Sequence, residues 1–299
     1  MIKNFIDIEN FTKKQLDEIL QTAKKIKKNP KKFSSLLKNK TLGMIFEKQS
    51  LRTRLSFNVG MQKLGGNVVE LISKDIGFDN KREDKRDILN ILAQFIDCLM
   101  IRNDNHKLLI ELSNQNILPI INGLTEYSHP CQILGDFLTI QEKFKTYRNL
   151  QITWIGDFNN VLVSLLHLQN IYLFKLNIVI PTKILKTNKM KLLKYKNNKI
   201  KLLTDPLIGV KKSNCIMTDV WISMGDKDKN KIKYFKNFTI NEKIINFAAK
   251  DAIFMHCLPA KRGKEVTSEV LDGKNSVILQ QAKNRMYIQQ AILLYVFKK

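Results

Sequence analysis

Cysteine is scarce and scattered. Cys98, Cys131, Cys215 and Cys257 form no Cys-x-x-Cys pair, which argues against both a zinc ribbon and a disulfide framework. All four are expected as reduced thiols, with Cys98 and Cys215 set in apolar strands as core. Long hydrophobic runs are also missing. Stretches such as IVI at 178–180 and AILLYVF at 291–297 fall far short of the roughly 18 residues a membrane span needs. The start MIKNFIDIEN has no continuous apolar region of the kind a signal peptide carries. A cytoplasmic location is expected. Neither a Pro/Gly/Ser-rich linker nor an internal repeat is visible, although 183–201 is biased to Lys and Asn.

Acidic residues are outnumbered, 27 Asp+Glu against 51 Lys+Arg, for a formal charge of +24. Such a balance raises a basic nucleic-acid-binding protein as one reading. The lysines, however, are spread through segments such as TAKKIKKNPKKF and KTNKMKLLKYKNNKIK, mixed with Asn and Ile. No RNP-like aromatic motif, zinc finger or Gly-Lys-Ser/Thr loop accompanies them. They read as a solvated surface.

With 44% hydrophobic and 26% charged residues the chain is globular, and 299 residues are enough for two cores. Residues 11–28 place Leu16, Ile19, Leu20 and Ala23 at helical spacing. Short apolar runs at 41–46, 67–72, 98–102 and 118–123 read as strands, with helices at 55–64, 84–96 and 133–144. The alternation restarts near 150: 151–157, 176–181, 200–205, 214–221 and 252–257 read as strands, and 284–297 as a closing helix. The fold class is α/β, with two doubly wound parallel sheets and the active site expected in the cleft between them. The domains are expected at 1–147 and 148–283, with the helix 284–297 packing back on the first.

Polar residues gather at the carboxyl ends of these strands, where a parallel sheet binds ligands. FEKQSLRTRLSF puts Ser50, Arg52, Thr53 and Arg54 after the first strand; Arg102 ends the third, and HPCQ follows the fourth. Asp157, Asp205, Asp219 and His256 end strands of the second half. Guanidinium forks and hydroxyls at a helix start form an anion cradle. His256-Cys257 beside His129-Cys131 also admits a Cys–His thiol hydrolase or a zinc site, and Trp221 and Met224 admit plain packing.

In this order the clusters resemble the carbamoyltransferase family, and its ornithine branch most closely. FEKQSLRTRLSF is similar to the family's carbamoyl phosphate loop, HPCQILGD to its His-Pro-Cys-Gln motif, and GDFNNV, DVWISMG and MHCLPAKRGKEV to its ornithine side; QAKNRMYIQQAIL is similar to its closing helix. The resemblance covers nearly the whole chain. It implies transfer of a carbamoyl group from carbamoyl phosphate to the side-chain amine of L-ornithine, giving L-citrulline and phosphate. By that resemblance Ser50, Leu51 (through its backbone), Arg52 and Thr53 grip phosphate. Arg102, His129 and Thr53 face the carbonyl oxygen, Gln132 takes the carbamoyl NH2, and Arg285 reaches in from the closing helix. Asp219, Asn160, Ser223 and Met224 hold ornithine, and Cys257 and Leu258 also contact carbamoyl phosphate, the thiol and the Leu258 carbonyl orienting the amine.

The resemblance implies no cofactor and no metal, and a homotrimer whose sites are shared between subunits. Three positions depart from the family pattern. Leu51 stands where the loop usually has Thr, Lys283 where the closing helix usually has Glu, and Gly77-Phe78 near the Gln or His that relatives offer to a neighbour. Leu51 keeps an acylated ornithine or putrescine open as the acceptor. Asp219 favours free ornithine, because an acylated α-amine has no use for a carboxylate.

Overall fold

The computed structural model describes residues 2–72, 76, 78, 83–222 and 228–298. Contacts divide the chain into two compact units, Met1–Leu138 together with Lys283–Lys299, and Thr139–Ala282. The closing residues thus group with the first unit.

In the first unit β1 (Thr41–Phe46), β2 (Asn67–Leu71), β3 (Cys98–Arg102) and β4 (Ile120–Leu124) form a parallel sheet in the order β2-β1-β3-β4. Four successive residues are buried in each of β1, β3 and β4, the pattern of strands covered on both faces. Leu99, Ile101, Leu109, Leu112 and Ile120 are at the centre of the core. Phe5 extends the sheet beyond β4: its N–H donates to Ile120 O and its carbonyl accepts from Asn122 N, both at 2.8 Å. Gly43 in β1 has no room for a side chain, since a Cβ there would lie 2.4 Å from Ile96 Cδ1.

The helix Lys13–Lys28 starts from a capping box between Thr12 and Gln15 and buries Leu16, Ile19, Leu20 and Ala23. The next helix, Leu51–Lys63, begins at Leu51 rather than at Leu55. Its polar opening reads as loop in sequence, yet the first turn of a helix is where N–H groups lack intrahelical partners and polar side chains are useful. Similarly, the helix Pro130–Phe144 begins directly after His129 rather than at Ile133. Proline suits that first position, where no N–H is needed.

In the second unit β5 (Gln151–Ile155), β6 (Lys175–Val179), β7 (Ile200–Leu203), β8 (Cys215–Thr218) and β9 (Ile253–His256) form a parallel sheet in the order β7-β6-β5-β8-β9. Several strands stop short of the polar residues expected to end them. β5 ends before Gly156, whose φ of 150° favours glycine, and Trp154 Nε1 donates to Asp157 O at 2.9 Å across the turn. Asp205 caps the helix Pro206–Val210, accepting from Leu207 N and Ile208 N. Its Oδ1 is the helix cap.

In both sheets the strand order reverses at one point, between β1 and β3 and between β5 and β8. The crevice beyond the carboxyl ends at such a point is where α/β sheets take ligands. Ser50 and Arg102 follow or end the first pair; Asp157 and Asp219 follow the second.

Candidate active site

In the first unit the residues around Thr53 form an anion cradle. Ser50 is the N-cap of the helix Leu51–Lys63, but its side chain makes no capping hydrogen bond. By contrast Thr12, Asp84, Asn105, Asn159, Asp205 and Asn241 all cap their helices through side chains. The helix start at Leu51-Arg52-Thr53 thus carries the positive end of the helix dipole with no side-chain cap across it, a ready anion site.

Thr53 is buried, and its Oγ1 accepts from Arg102 Nη1 at 3.2 Å and from Arg285 Nη2 at 2.9 Å. A hydroxyl oxygen has two acceptor positions and one proton. With both acceptor positions taken by guanidiniums, the Thr53 proton is directed to a third partner. Gly135 allows the close approach of Arg285, since a Cβ there would lie 3.1 Å from Arg285 Cγ.

His129 is buried beside this cluster, and burial holds its pKa well below the usual histidine value, with Arg285, Arg102 and Arg52 adding to the effect. The ring is neutral at physiological pH and offers an N–H without adding charge. Gln132, one turn into the following helix, is buried with its Nε2 donating to Asp136 Oδ1 at 2.8 Å. Cys131 is core: its thiol donates to Asn122 O at 3.4 Å, and burial pushes its pKa up to about 12. That removes the thiolate a Cys131-based hydrolase requires.

The loop before Ser50 is tied to the end of β3. Glu47 N donates to Arg102 O at 3.1 Å, while the Glu47 carboxylate accepts from Asn103 Nδ2 and Lys48 pairs with Asp104. Arg54 points elsewhere, pairing with Glu70 and lying 4.4 Å from the centre of the Phe46 ring. Of the two loop arginines, only Arg52 contributes to the field at His129. Phe78, half-buried, packs on the core of the first unit. Gly77 lies outside the described residues.

In the second unit Asp219 is buried after β8, where its carboxylate accepts from Asn159 Nδ2 and from Cys257 Sγ, both at 2.8 Å. Asn159 also caps the helix Asn160–Tyr172 through its Oδ1. Asn160, expected as a ligand residue, is the first residue of that helix. Ser223 and Met224 lie outside the described residues.

His256, at the end of β9, has both ring nitrogens engaged. Nδ1 accepts from Leu258 N at 2.9 Å, so Nε2 carries the proton and faces Glu265 Oε1 at 3.3 Å. Donor atoms of Asp219, His256 and Cys257 lie within 4.8 Å of one another, and the Cys257 thiol donates to Asp219 Oδ1. Leu258 sits at φ 57°, a left-handed conformation that costs an L-residue about 1–2 kcal/mol. The bond to His256 holds it there and fixes where its carbonyl points. Trp221 is stacked on Phe235, ring centres 4.9 Å apart, as a packing residue. Asp157 is paired with Lys231 Nζ at 2.5 Å.

One unit therefore offers a cationic, uncapped helix start with neutral donors beside it, and the other a buried carboxylate with a thiol and an amide on it. The first suits a phosphorylated carbonyl compound, the second an ammonium group.

Comparison with known proteins also divides the chain in two, although the second match includes the closing helix, which groups by its contacts with the first unit. Residues 3–142 match the family domain described as "Aspartate/ornithine carbamoyltransferase, carbamoyl-P binding domain", and residues 148–296 match its "Asp/Orn binding domain". An ornithine carbamoyltransferase of Rhodopseudomonas palustris is 40% identical over 300 residues, covering 99% of this chain and 96% of the relative. Among solved structures, the ornithine carbamoyltransferase of Pyrococcus furiosus superposes with a TM-score of 0.87 at 36% identity, covering 97% of this chain and 96% of that one. The anabolic ornithine carbamoyltransferase of Campylobacter jejuni gives 0.88 at 35% identity, with both chains covered in full.

Proposed function

The chain belongs to the aspartate/ornithine carbamoyltransferase family, and from that premise we propose that it transfers the carbamoyl group of carbamoyl phosphate to the side-chain amine of L-ornithine, giving L-citrulline and phosphate. The observation that carries this reading is the convergence of Arg102 and Arg285 on the buried Thr53 hydroxyl at an uncapped helix start.

The dianionic phosphate is held by the N–H groups of Leu51, Arg52 and Thr53, the Ser50 hydroxyl and the Arg52 guanidinium. The carbonyl oxygen gains charge as the amine attacks, and fixed donors aimed at it lower the barrier. Arg102, neutral His129 and the outward Thr53 proton supply those donors, with Arg285 behind them. Gln132 takes the carbamoyl NH2. The α-ammonium of ornithine pairs with Asp219, Asn160 and the segment at Ser223-Met224 hold the rest of the amino acid, and Cys257 with the Leu258 carbonyl orients the attacking nitrogen. Attack needs that nitrogen neutral, and nearby cations favour the neutral form. As its new bond to carbon forms, the bond from that carbon to the phosphate oxygen breaks, and the proton the nitrogen gives up passes to the departing phosphate.

The same proposal includes a role in arginine metabolism, a cytoplasmic location and a homotrimer. Among the described residues no helix is long and apolar enough to cross a membrane.

The test is a citrulline-type assay in which ornithine, acetylornithine, putrescine and aspartate are offered side by side with carbamoyl phosphate. Product with ornithine above all is expected. No product with any amine, together with tight salt-dependent binding to nucleic acid, would reverse the reading.

A further inference from the structure

We propose that Asp136 is a positioning residue that makes the site select a carbamoyl over an acetyl phosphate by fixing which end of the Gln132 amide meets the substrate. The inference rests on the carbamoyl phosphate reading above. Gln132 and Asp136 are one helical turn apart and both buried, and Gln132 Nε2 donates to Asp136 Oδ1 at 2.8 Å. Gln132 Oε1 is buried with no hydrogen-bond partner among the described residues.

A side-chain amide can rotate to exchange its oxygen and nitrogen with almost no change of shape, so its neighbours decide which end faces where. A carboxylate oxygen accepts and does not donate. It therefore draws the NH2 end of Gln132 to itself and turns the oxygen away, as a bare acceptor. Carbamoyl and acetyl phosphate differ only in carrying NH2 or CH3 on the carbonyl carbon. The amino group satisfies a waiting acceptor, whereas the methyl leaves it buried and unpaired, which is costly. Rotated the other way, the Gln132 NH2 would face the carbamoyl NH2, donor against donor. The discrimination thus depends on a residue that does not touch the substrate.

The test compares KM for carbamoyl phosphate with the inhibition constants of acetyl phosphate and inorganic phosphate. In Asp136→Asn the partner can offer either a donor or an acceptor, and the Gln132 amide loses its fixed orientation. The preference for carbamoyl over acetyl phosphate is expected to narrow about tenfold or more, with inorganic phosphate inhibiting as before. The exchange Gln132→Glu with Asp136→Asn reverses the pair. The Asn NH2 donates to one Glu oxygen and leaves the other as an acceptor for the substrate, so the preference should return toward the original.

Loss in the single variant with recovery in the exchange supports the proposal. An unchanged preference in Asp136→Asn, or equal weakening of all three phosphates in both variants, overturns it. If Asp136→Asn does not fold, the exchange alone decides: a folded exchange variant keeps the preference if the proposal holds and loses it if not. A wild-type protein that fails to use carbamoyl phosphate at all refutes the underlying reading instead, so the two failures are told apart.

Discussion

Arg285 Nη2 donates to Thr53 Oγ1 at 2.9 Å although the two residues are 232 positions apart. Arg102 donates to the same oxygen, so one methyl-bearing hydroxyl organises two guanidiniums, and in the proposed reaction its own proton is directed to the carbonyl oxygen. Thr53→Val keeps the shape and removes the hydroxyl. Losing one such donor to a developing oxyanion costs on the order of 10²–10³ in turnover, and Thr53→Ser should retain most of it. Steady-state kinetics decide the matter; a Val variant as fast as the Ser variant would show that the hydroxyl is only packing.

His129 makes stability depend on pH in a predictable direction. In the unfolded chain it binds a proton below about pH 6.5; in the folded chain burial and three guanidiniums keep it neutral to a much lower pH. The unfolded state therefore binds more protons as pH falls. The contribution of neutral His129 is whole above the unfolded pKa and is lost downward through the folded one, with a slope of up to about 1.4 kcal/mol per pH unit. Urea unfolding between neutral and mildly acidic pH should show a shallower slope in His129→Gln than in the wild type. Equal slopes would place the imidazole in a solvated, titrating environment.

Asp219 holds Asn159 and Cys257 at 2.8 Å each, so its replacement acts on three side chains at once. Asp219→Asn should weaken ornithine by about 2–5 kcal/mol, the range for breaking a buried, hydrogen-bonded charge pair. Binding of phosphate should be nearly unchanged, because the residues proposed to hold it belong to the other unit. Calorimetric titration of each ligand separates the two. A parallel loss for both ligands would make Asp219 a structural residue of its sheet.

The strands were legible because a parallel strand covered on both faces is an uninterrupted apolar run: TLGMIF and CLMIR are found where the sequence places them. Most candidate residues were legible because they follow such runs directly. Helix starts were less so. Leu51-Arg52-Thr53-Arg54 is polar enough to pass for loop, and only the geometry makes it a first turn. The double role of Asn159, as helix cap and partner of Asp219, was not legible, because adjacent asparagines differ only in which one occupies the cap. The meeting of Arg285 and Thr53, and the grip of Asp136 on Gln132, depend on side-chain directions that no periodicity encodes. Asp205 is a contrasting case, an exposed carboxylate whose position resembles that of Asp219 but whose Oδ1 caps a helix.

Leu51 is the first residue of its helix, and its side chain is 68% exposed. Its backbone N–H belongs to the anion cradle whatever the side chain, so the substitution of the family's Thr by Leu removes only a hydroxyl. A hydrogen bond to a charged acceptor contributes roughly 1.5–3 kcal/mol, and Leu51→Thr should accordingly lower KM for carbamoyl phosphate about tenfold or more. Turnover should change less, because phosphate is gripped alike before and during the transition state and uniform binding does not speed the chemical step. The helix should tolerate the change, since the isobutyl group is in solvent and the difference in intrinsic propensity is within about 0.7 kcal/mol. The opposing view gives the exposed isobutyl group a purpose, as an apolar contact for an acylated acceptor. A Leu51→Thr protein that binds carbamoyl phosphate no better, and loses activity on acetylornithine while keeping its fold, would decide for that view and against free ornithine.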